Sequence, residues 1–165
     1  HLYNAMPAIS HRAPGVIPAA VETPGVTAEL ICDGYHVHPA SVRLAFSMFG
    51  GDRMCLISDS GRCAGMPEGT QFQLGGQDCC LRDGVARLTD GTIACSATNM
   101  WVCLTNVIRW GVREEDAVRA ATYNPACAIA ADKEVGSIEE GKVADFLVCA
   151  PDYSSMQVYL GGEKL

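Results

Sequence analysis

The run Met54-Cys55-Leu56-Ile57 constrains the fold of this chain more than any other segment. It is bounded by Gly50-Gly51 before it and Ser58-Asp59-Ser60-Gly61 behind it. Four to five apolar residues between turn signals read as a buried strand. A carboxylate just past the end of such a strand, here Asp59, lies where parallel α/β folds keep their chemistry.

Strand-like and helix-like segments alternate around that run. Glu29–Cys32 reads as a short strand leading into Asp33-Gly34. Pro39 opens a helix to Phe49, with Val42, Ala45, Met48 and Phe49 on one face, and Gly50-Gly51 stops it. From Gln71 to Leu88 the period falls to two, with hairpin turns expected at Gly75-Gly76 and Asp83-Gly84 and a further turn at Asp90-Gly91. Thr92–Cys95 returns to the sheet, Ala97–Trp110 reads as a helix and Glu114–Ala121 as another with acids in its first turn. Tyr123-Asn124-Pro125 is expected to break that helix, and Pro125–Ala131 to add one short turn. Ala144–Cys149 and Met156–Leu160 read as short strands of a tail with a different character, and the boundary falls near residue 134.

Alternation of this kind predicts a parallel sheet with covering helices. The chain has 165 residues and about three such units before the tail. A complete (β/α)8 barrel needs about 250 residues. There is room for about half a barrel or a small open sheet, and an open half barrel exposes unpaired edges.

Composition narrows the classes. The net charge of −7 argues against a nucleic-acid surface and against an anionic membrane, though a small phosphate site remains open to it. No apolar run approaches the roughly 20 residues of a membrane span, and no signal peptide is visible. The nine cysteines are odd in number, lie mostly inside apolar runs and form no C-x-x-C. They read as reduced, buried thiols of a cytoplasmic protein. The chain begins with histidine, which reads as part of something larger.

Three histidines are candidates for chemistry. His36 and His38 are two apart on a segment read as extended, so both point the same way, as two metal ligands or as one ligand and one substrate contact. His38 could equally just end the strand before Pro39. His1 has no upstream context. Asp59 is either a turn former or, beside a metal, a carboxylate that takes and returns a proton. Arg12, in the loop Ser10–Gly15, suits a phosphate but is also what a solvated loop arginine looks like.

Six motifs occur in order: H-L-Y-N-A-M at 1–6, D-G-Y-H-V-H-P at 33–39, S-D-S…A-G at 58–65, D-G-T-I-A-C-S-A at 90–97, N-P-A at 124–126, and G-S-I…G-K-V-A-D-F at 136–146. This set resembles the C-terminal portion of the N-acetylglucosamine-6-phosphate deacetylase family, within the amidohydrolase superfamily. The tail motif is shared widely across that superfamily; the first two are much more specific to the deacetylases. The resemblance covers essentially the whole chain. It implies the C-terminal part of a (β/α)8 metal-dependent hydrolase barrel over residues 1–133, with 134–165 returning as strands of a small β-sandwich. It implies removal of acetate from N-acetylglucosamine 6-phosphate, giving glucosamine 6-phosphate.

By matching position, the resemblance makes His1 a metal ligand and puts Asn4 and Ala5 at the phosphate end of the substrate. Arg12 would reach the phosphate in the neighbouring subunit of a homodimer. Asp33 and His36 fall to the sugar, and Ile93, Ala94 and Cys95 to the acetyl end of the pocket. Asp59 would activate metal-bound water and then protonate the leaving amine. Two positions depart from the family: Cys95 replaces a usual glycine, expected to crowd the pocket wall, and Arg62 replaces a small apolar residue. The family's other ligands lie upstream of residue 1. A divalent ion, zinc or iron, is therefore expected to be incompletely coordinated by this chain, and the chain alone is expected to be inactive. Open alternatives are an amidohydrolase of another N-acyl sugar or a cyclic amide, a non-catalytic module assembling through strand edges, and a structural zinc module.

Overall fold

A computed structural model describes residues 1–165. Its centre is a parallel pair, β1 (Ala28–Ile31) and β2 (Met54–Ile57), in the register Ala28↔Met54 to Ile31↔Ile57. Leu30, Ile31, Met54 and Leu56 are buried, as a strand covered on both faces requires. Between them runs α2 (Pro39–Phe49), with Pro39 at its first turn and Gly50 at φ 73° ending it. That helix and both strands match the expected segments to within a residue or two. Before β1 lies α1 (Val16–Glu22), a seven-residue helix that carries Pro18 and that no cap or periodicity in the sequence announces. The Arg53 guanidinium ties its C-terminal end down by donating to the carbonyls of Ala20, Val21 and Thr23.

A second sheet is antiparallel: β3 (Gln71–Leu74), β4 (Gln77–Arg82), β5 (Val85–Leu88) and β6 (Ile93–Ser96). Its first two turns are the expected ones. Gly75 and Gly76, then Asp83 and Gly84, all have positive φ, as two-residue turns matched to strand twist demand. A parallel bridge between Ser60 and Ser96 lays the end of β6 beside the residues that follow β2. The chain therefore runs β1, β2, β6 side by side at one end.

α3 (Met100–Arg109), α4 (Glu114–Ala121) and α5 (Tyr123–Ala128) cover β2. α3 begins three residues later than expected, because the Asn99 side chain caps it by accepting from the Val102 amide at 3.0 Å. Residues 123–128 are helical rather than a break. The interruption sits at Thr122, and Pro125 occupies the third helical position, where its missing N–H costs nothing. Asn124 is buried and donates to the carbonyls of Gly51 (2.6 Å) and Met54 (2.7 Å), so the N-P-A motif is a staple on the start of β2. A seventeen-residue apolar cluster joins α3 and α4 to β1, β2 and α2.

The tail forms a third sheet, β7 (Phe146–Cys149), β8 (Met156–Leu160) and β9 (Glu163–Lys164). β9 was not expected; Gly161-Gly162, both at positive φ, was the turn signal for it. Gly136 lies so close to α5 that a methyl group there would stand 2.7 Å from Ala126 Cβ and 3.2 Å from the Thr122 carbonyl oxygen. No helix is long and apolar enough to cross a membrane.

Replacing Asn124 with alanine leaves two carbonyls without their donor, one of them buried in β2. Urea unfolding is expected to show a loss of about 1–3 kcal/mol with an unchanged m-value. Gly136→Ala is expected to destabilise as well, because its φ of 92° and the Ala126 contact both oppose a side chain.

Candidate functional site

The register of β1 and β2 builds the site. Ile31 pairs with Ile57, so Asp33 and Asp59, each two residues further on, leave the same end of adjacent strands. After Ile31 the chain turns through residues 33–37 instead of continuing extended. The Asp33 carboxylate makes that turn. Its Oδ1 accepts the amides of Tyr35 and His36 at 2.9 Å each, and its Oδ2 lies 2.6 Å from His36 Nδ1. The Asp33 side chain is 1% exposed and that of His36 7%. Burial pushes the Asp33 carboxyl up. The hydrogen bonds from the His36 ring and the two amides outweigh burial and hold it below the ordinary carboxylate range.

With Nδ1 on Asp33, His36 has Nε2 left for another partner, the tautomer-setting arrangement of a carboxylate–histidine pair. Asp33 itself has both oxygens engaged inside the chain. Its place is behind His36, and its three intrachain hydrogen bonds hold the turn and the ring. The reading of His38 is corrected. It does not share a face with His36 on a strand; it caps α2, its Nδ1 accepting from the Ala40 amide at 3.2 Å.

Asp59 is exposed and lies in the left-handed region at φ 48°, which aspartate tolerates better than most residues. The loop is pinned to β6. The Asp59 carbonyl accepts from the Ser96 amide at 3.1 Å, the Gly61 amide donates to the Ser96 carbonyl at 2.9 Å, and Ser60 Oγ donates to the Thr98 carbonyl. Ile93 and Ala94 are half-buried on β6. Cys95 points elsewhere. A methyl group on Gly61 would fall 2.2 Å from its Sγ, and the thiol packs in a small cluster with Cys63, Leu81 and Ala86. The Cys95 side chain is thus taken up by this apolar cluster between the Gly61 loop and the second sheet. Burial, then the nearby Cys63 thiol, pushes the Cys95 thiol up to about 11, which keeps it protonated. Arg62 is exposed beyond this loop.

The first motif lies along the other edge of β1, where the Leu2 amide donates to the Glu29 carbonyl at 2.7 Å. Tyr3 and Ala5 have φ of 74° and 52°, and Asn4 Nδ2 donates to the carbonyls of His1 and Leu2. Tyr3 Oη anchors this turn by donating to the Ser41 carbonyl at 3.2 Å. Arg12 stands apart, exposed in a loop that is exposed from Pro7 to Val16. Thus His36 and Asp59 share one end of the parallel pair, with Asp33 behind His36 and Ser96 behind Asp59, while Arg12 is not drawn in.

No three His, Cys, Asp or Glu side chains of the chain converge as a metal cradle. His1 by itself falls short of the three protein ligands of a catalytic zinc. The residues of this chain do not make a complete site for the divalent ion that its resemblance implies. Six of the nine cysteines are buried, and all are free.

The family model for the amidohydrolases matches residues 18–164, and the chain belongs to the amidohydrolase family. Within that family it is similar to N-acetylglucosamine-6-phosphate deacetylase of Vibrio furnissii, 36% identical over 98% of this chain and 40% of that protein. It is likewise 32% identical to N-acetylgalactosamine-6-phosphate deacetylase of Escherichia coli O157:H7, over 99% of this chain and 43% of that one. Among solved structures it superposes on a variant of N-acetyl-D-glucosamine-6-phosphate deacetylase from Mycobacterium smegmatis, in complex with N-acetyl-D-glucosamine-6-phosphate. The TM-score is 0.90 at 36% identity, over 99% of this chain and 44% of that one. The chain spans less than half the length of these relatives.

The depressed Asp33 carboxyl gives a signed pH prediction. A folded value below the ordinary 3.8 means stability that is present above about pH 4 and is lost as pH falls through the folded value. Acid titration of urea stability is expected to show a shallower loss below pH 4 in Asp33→Asn than in the unsubstituted protein.

Proposed function

We propose that this sequence carries the sugar-holding and proton-transferring part of a deacetylase acting on an N-acetylhexosamine 6-phosphate, N-acetylglucosamine 6-phosphate first. The supporting observation is the pairing of two polar groups at one end of β1 and β2: His36, oriented by a buried carboxylate, and Asp59, exposed on a pinned loop. Residues 1–133 are then the C-terminal units of a (β/α)8 barrel, and 134–165 the returning strands of a small β-sandwich.

The reaction adds water to the acetamide. A C–O bond forms, the C–N bond breaks, and acetate and the amine leave. Asp59 takes a proton from the attacking water and returns it to the leaving nitrogen, a role open to an exposed carboxylate held by its own backbone. His36 Nε2 hydrogen-bonds the sugar. Ile93 and Ala94 line the acetyl end, with Cys95 behind them. Asn4 and Ala5 meet the phosphate end through the turn at 1–6. Arg12 reaches the phosphate of the neighbouring subunit in a homodimer, consistent with its exposure. His1 would supply one ligand to a zinc or iron ion, and the remaining ligands would have to come from polypeptide outside these 165 residues.

Asp59→Asn in the metal-loaded holoenzyme is expected to keep its metal content and lose about 10²–10⁴-fold in turnover. Near-normal turnover would remove Asp59 as the proton carrier. Arg12→Ala is expected to raise KM about tenfold or more, as loss of a charged phosphate contact does, with kcat little changed. Acetate release should be measured on N-acetylglucosamine 6-phosphate, its galacto epimer and unphosphorylated N-acetylglucosamine. Activity confined to the phosphorylated sugars supports the reading, and the faster epimer names the substrate. Release from neither phosphorylated sugar overturns it and leaves a different amide, or a non-catalytic module. The 165-residue chain alone with Zn²⁺ or Fe²⁺ is expected to release no acetate; release would overturn the need for outside ligands.

A further inference from the structure

Tyr35 reaches across the site. The Ser60–Ser96 bridge sets β6 beyond β2, and Val85 is the partner of Ser96 on the far side of β6. The Asp83-Gly84 turn directly precedes Val85. Along this end of the molecule the order is therefore the 33–37 turn, Asp59, Ser96, and the 83–84 turn. The Tyr35 phenol starts in the first of these and ends on the last. A methyl group on Gly84 would stand 2.9 Å from Tyr35 Oη, 3.4 Å from Cζ and 3.5 Å from Cε2. Gly84 leaves room for the ring and also supplies the φ of 75° that the turn requires.

Tyr35 is also bound to the His36 backbone. Its amide and that of His36 share one acceptor, Asp33 Oδ1. Displacing the Tyr35 side chain moves the peptide that carries His36. A 46% exposed aromatic gains little from burial where it stands, so its contact with Gly84 is not needed to fill a core.

We propose that Tyr35 is a positioning residue that clamps the His36 turn against the 83–84 hairpin turn and so holds the His36 ring at the strand end that also carries Asp59. The inference rests on the deacetylase reading above. Its effect passes through His36, the group that holds the sugar, so it reads out in KM.

The test uses the metal-loaded holoenzyme with N-acetylglucosamine 6-phosphate. Tyr35→Ala is expected to raise KM about tenfold with kcat within about threefold, and Tyr35→Phe, which keeps the ring in place, to stay within about threefold of wild type in both. Gly84→Ala is expected to resemble Tyr35→Ala, and to be milder in the Tyr35→Phe background, where no hydroxyl opposes the methyl group. In a His36→Gln background Tyr35→Ala is expected to add nothing, the non-additivity of groups acting as one unit. Unchanged KM in Tyr35→Ala, or a full additional loss in the His36→Gln background, overturns the proposal alone. A wild-type enzyme that releases no acetate from the sugar phosphate overturns the deacetylase reading and this proposal together.

Discussion

The parallel pairing of β1 with β2 is the constraint on which the rest depends. β2 is buried along Met54–Leu56, while β1 buries Ala28, Leu30 and Ile31 and leaves Glu29 exposed, so a slip by one residue would turn Glu29 towards the core. Because Ile31 and Ile57 are opposite each other, the polar residues that follow them emerge together. Neither Asp33 nor Asp59 needs a contact with the other to be brought to one place. The backbone ladder does that, and the side chains are free for other partners.

The two aspartates then divide the work by environment. Asp33 is withdrawn from water and satisfied by three donors, a condition under which a buried carboxylate costs little and gains rigidity. Asp59 is exposed, and its carboxylate accepts no hydrogen bond within the chain; only its carbonyl is tied, to Ser96. One carboxylate holds a turn and a ring; the other faces solvent, the condition that the proposed proton-transfer role requires. The same economy operates behind Asp59. Gly61 has no side chain because Cys95 Sγ occupies that space, so the glycine and the cysteine are one packing unit.

Much of this was legible. Helix α2, helix α4, strand β8 and the hairpin turns of the second sheet announce themselves through Pro39, first-turn acids, alternation, Gly-Gly and Asp-Gly. These signals are local, and local signals survive into the structure. What the sequence does not announce is how polar and small side chains are shared out among partners. His36 and His38 look equivalent at a spacing of two, but a carboxylate three residues upstream folds the segment into a turn and gives one imidazole to Asp33 and the other to a helix cap. The face that Cys95 presents is fixed by its antiparallel neighbour Ala86, a pairing that position 95 alone does not reveal. Tyr35 carried no signal at all, since its partner is 49 positions away and is a glycine. The family resemblance was legible because its motifs are contiguous. Asn124, though within one of them, turned out to hold β2 rather than any ligand.

Position 59 shows why chemistry and backbone select the same residue there. The loop needs a left-handed residue so that Ser60 and Gly61 can turn back along β6. Glycine would satisfy the backbone without chemistry, and glutamate would supply a carboxylate but tolerates that conformation less well. Aspartate meets both demands, because its short side chain is among the few that enter the left-handed region at modest cost. Asparagine shares that tolerance and lacks only the charge. A substitution to alanine here would mix a backbone penalty of order 1 kcal/mol with the loss of the carboxylate, whereas asparagine separates the two. On the proposed reading, the positive φ and the carboxylate are two separate demands at one position, and Asp59→Asn removes only the second.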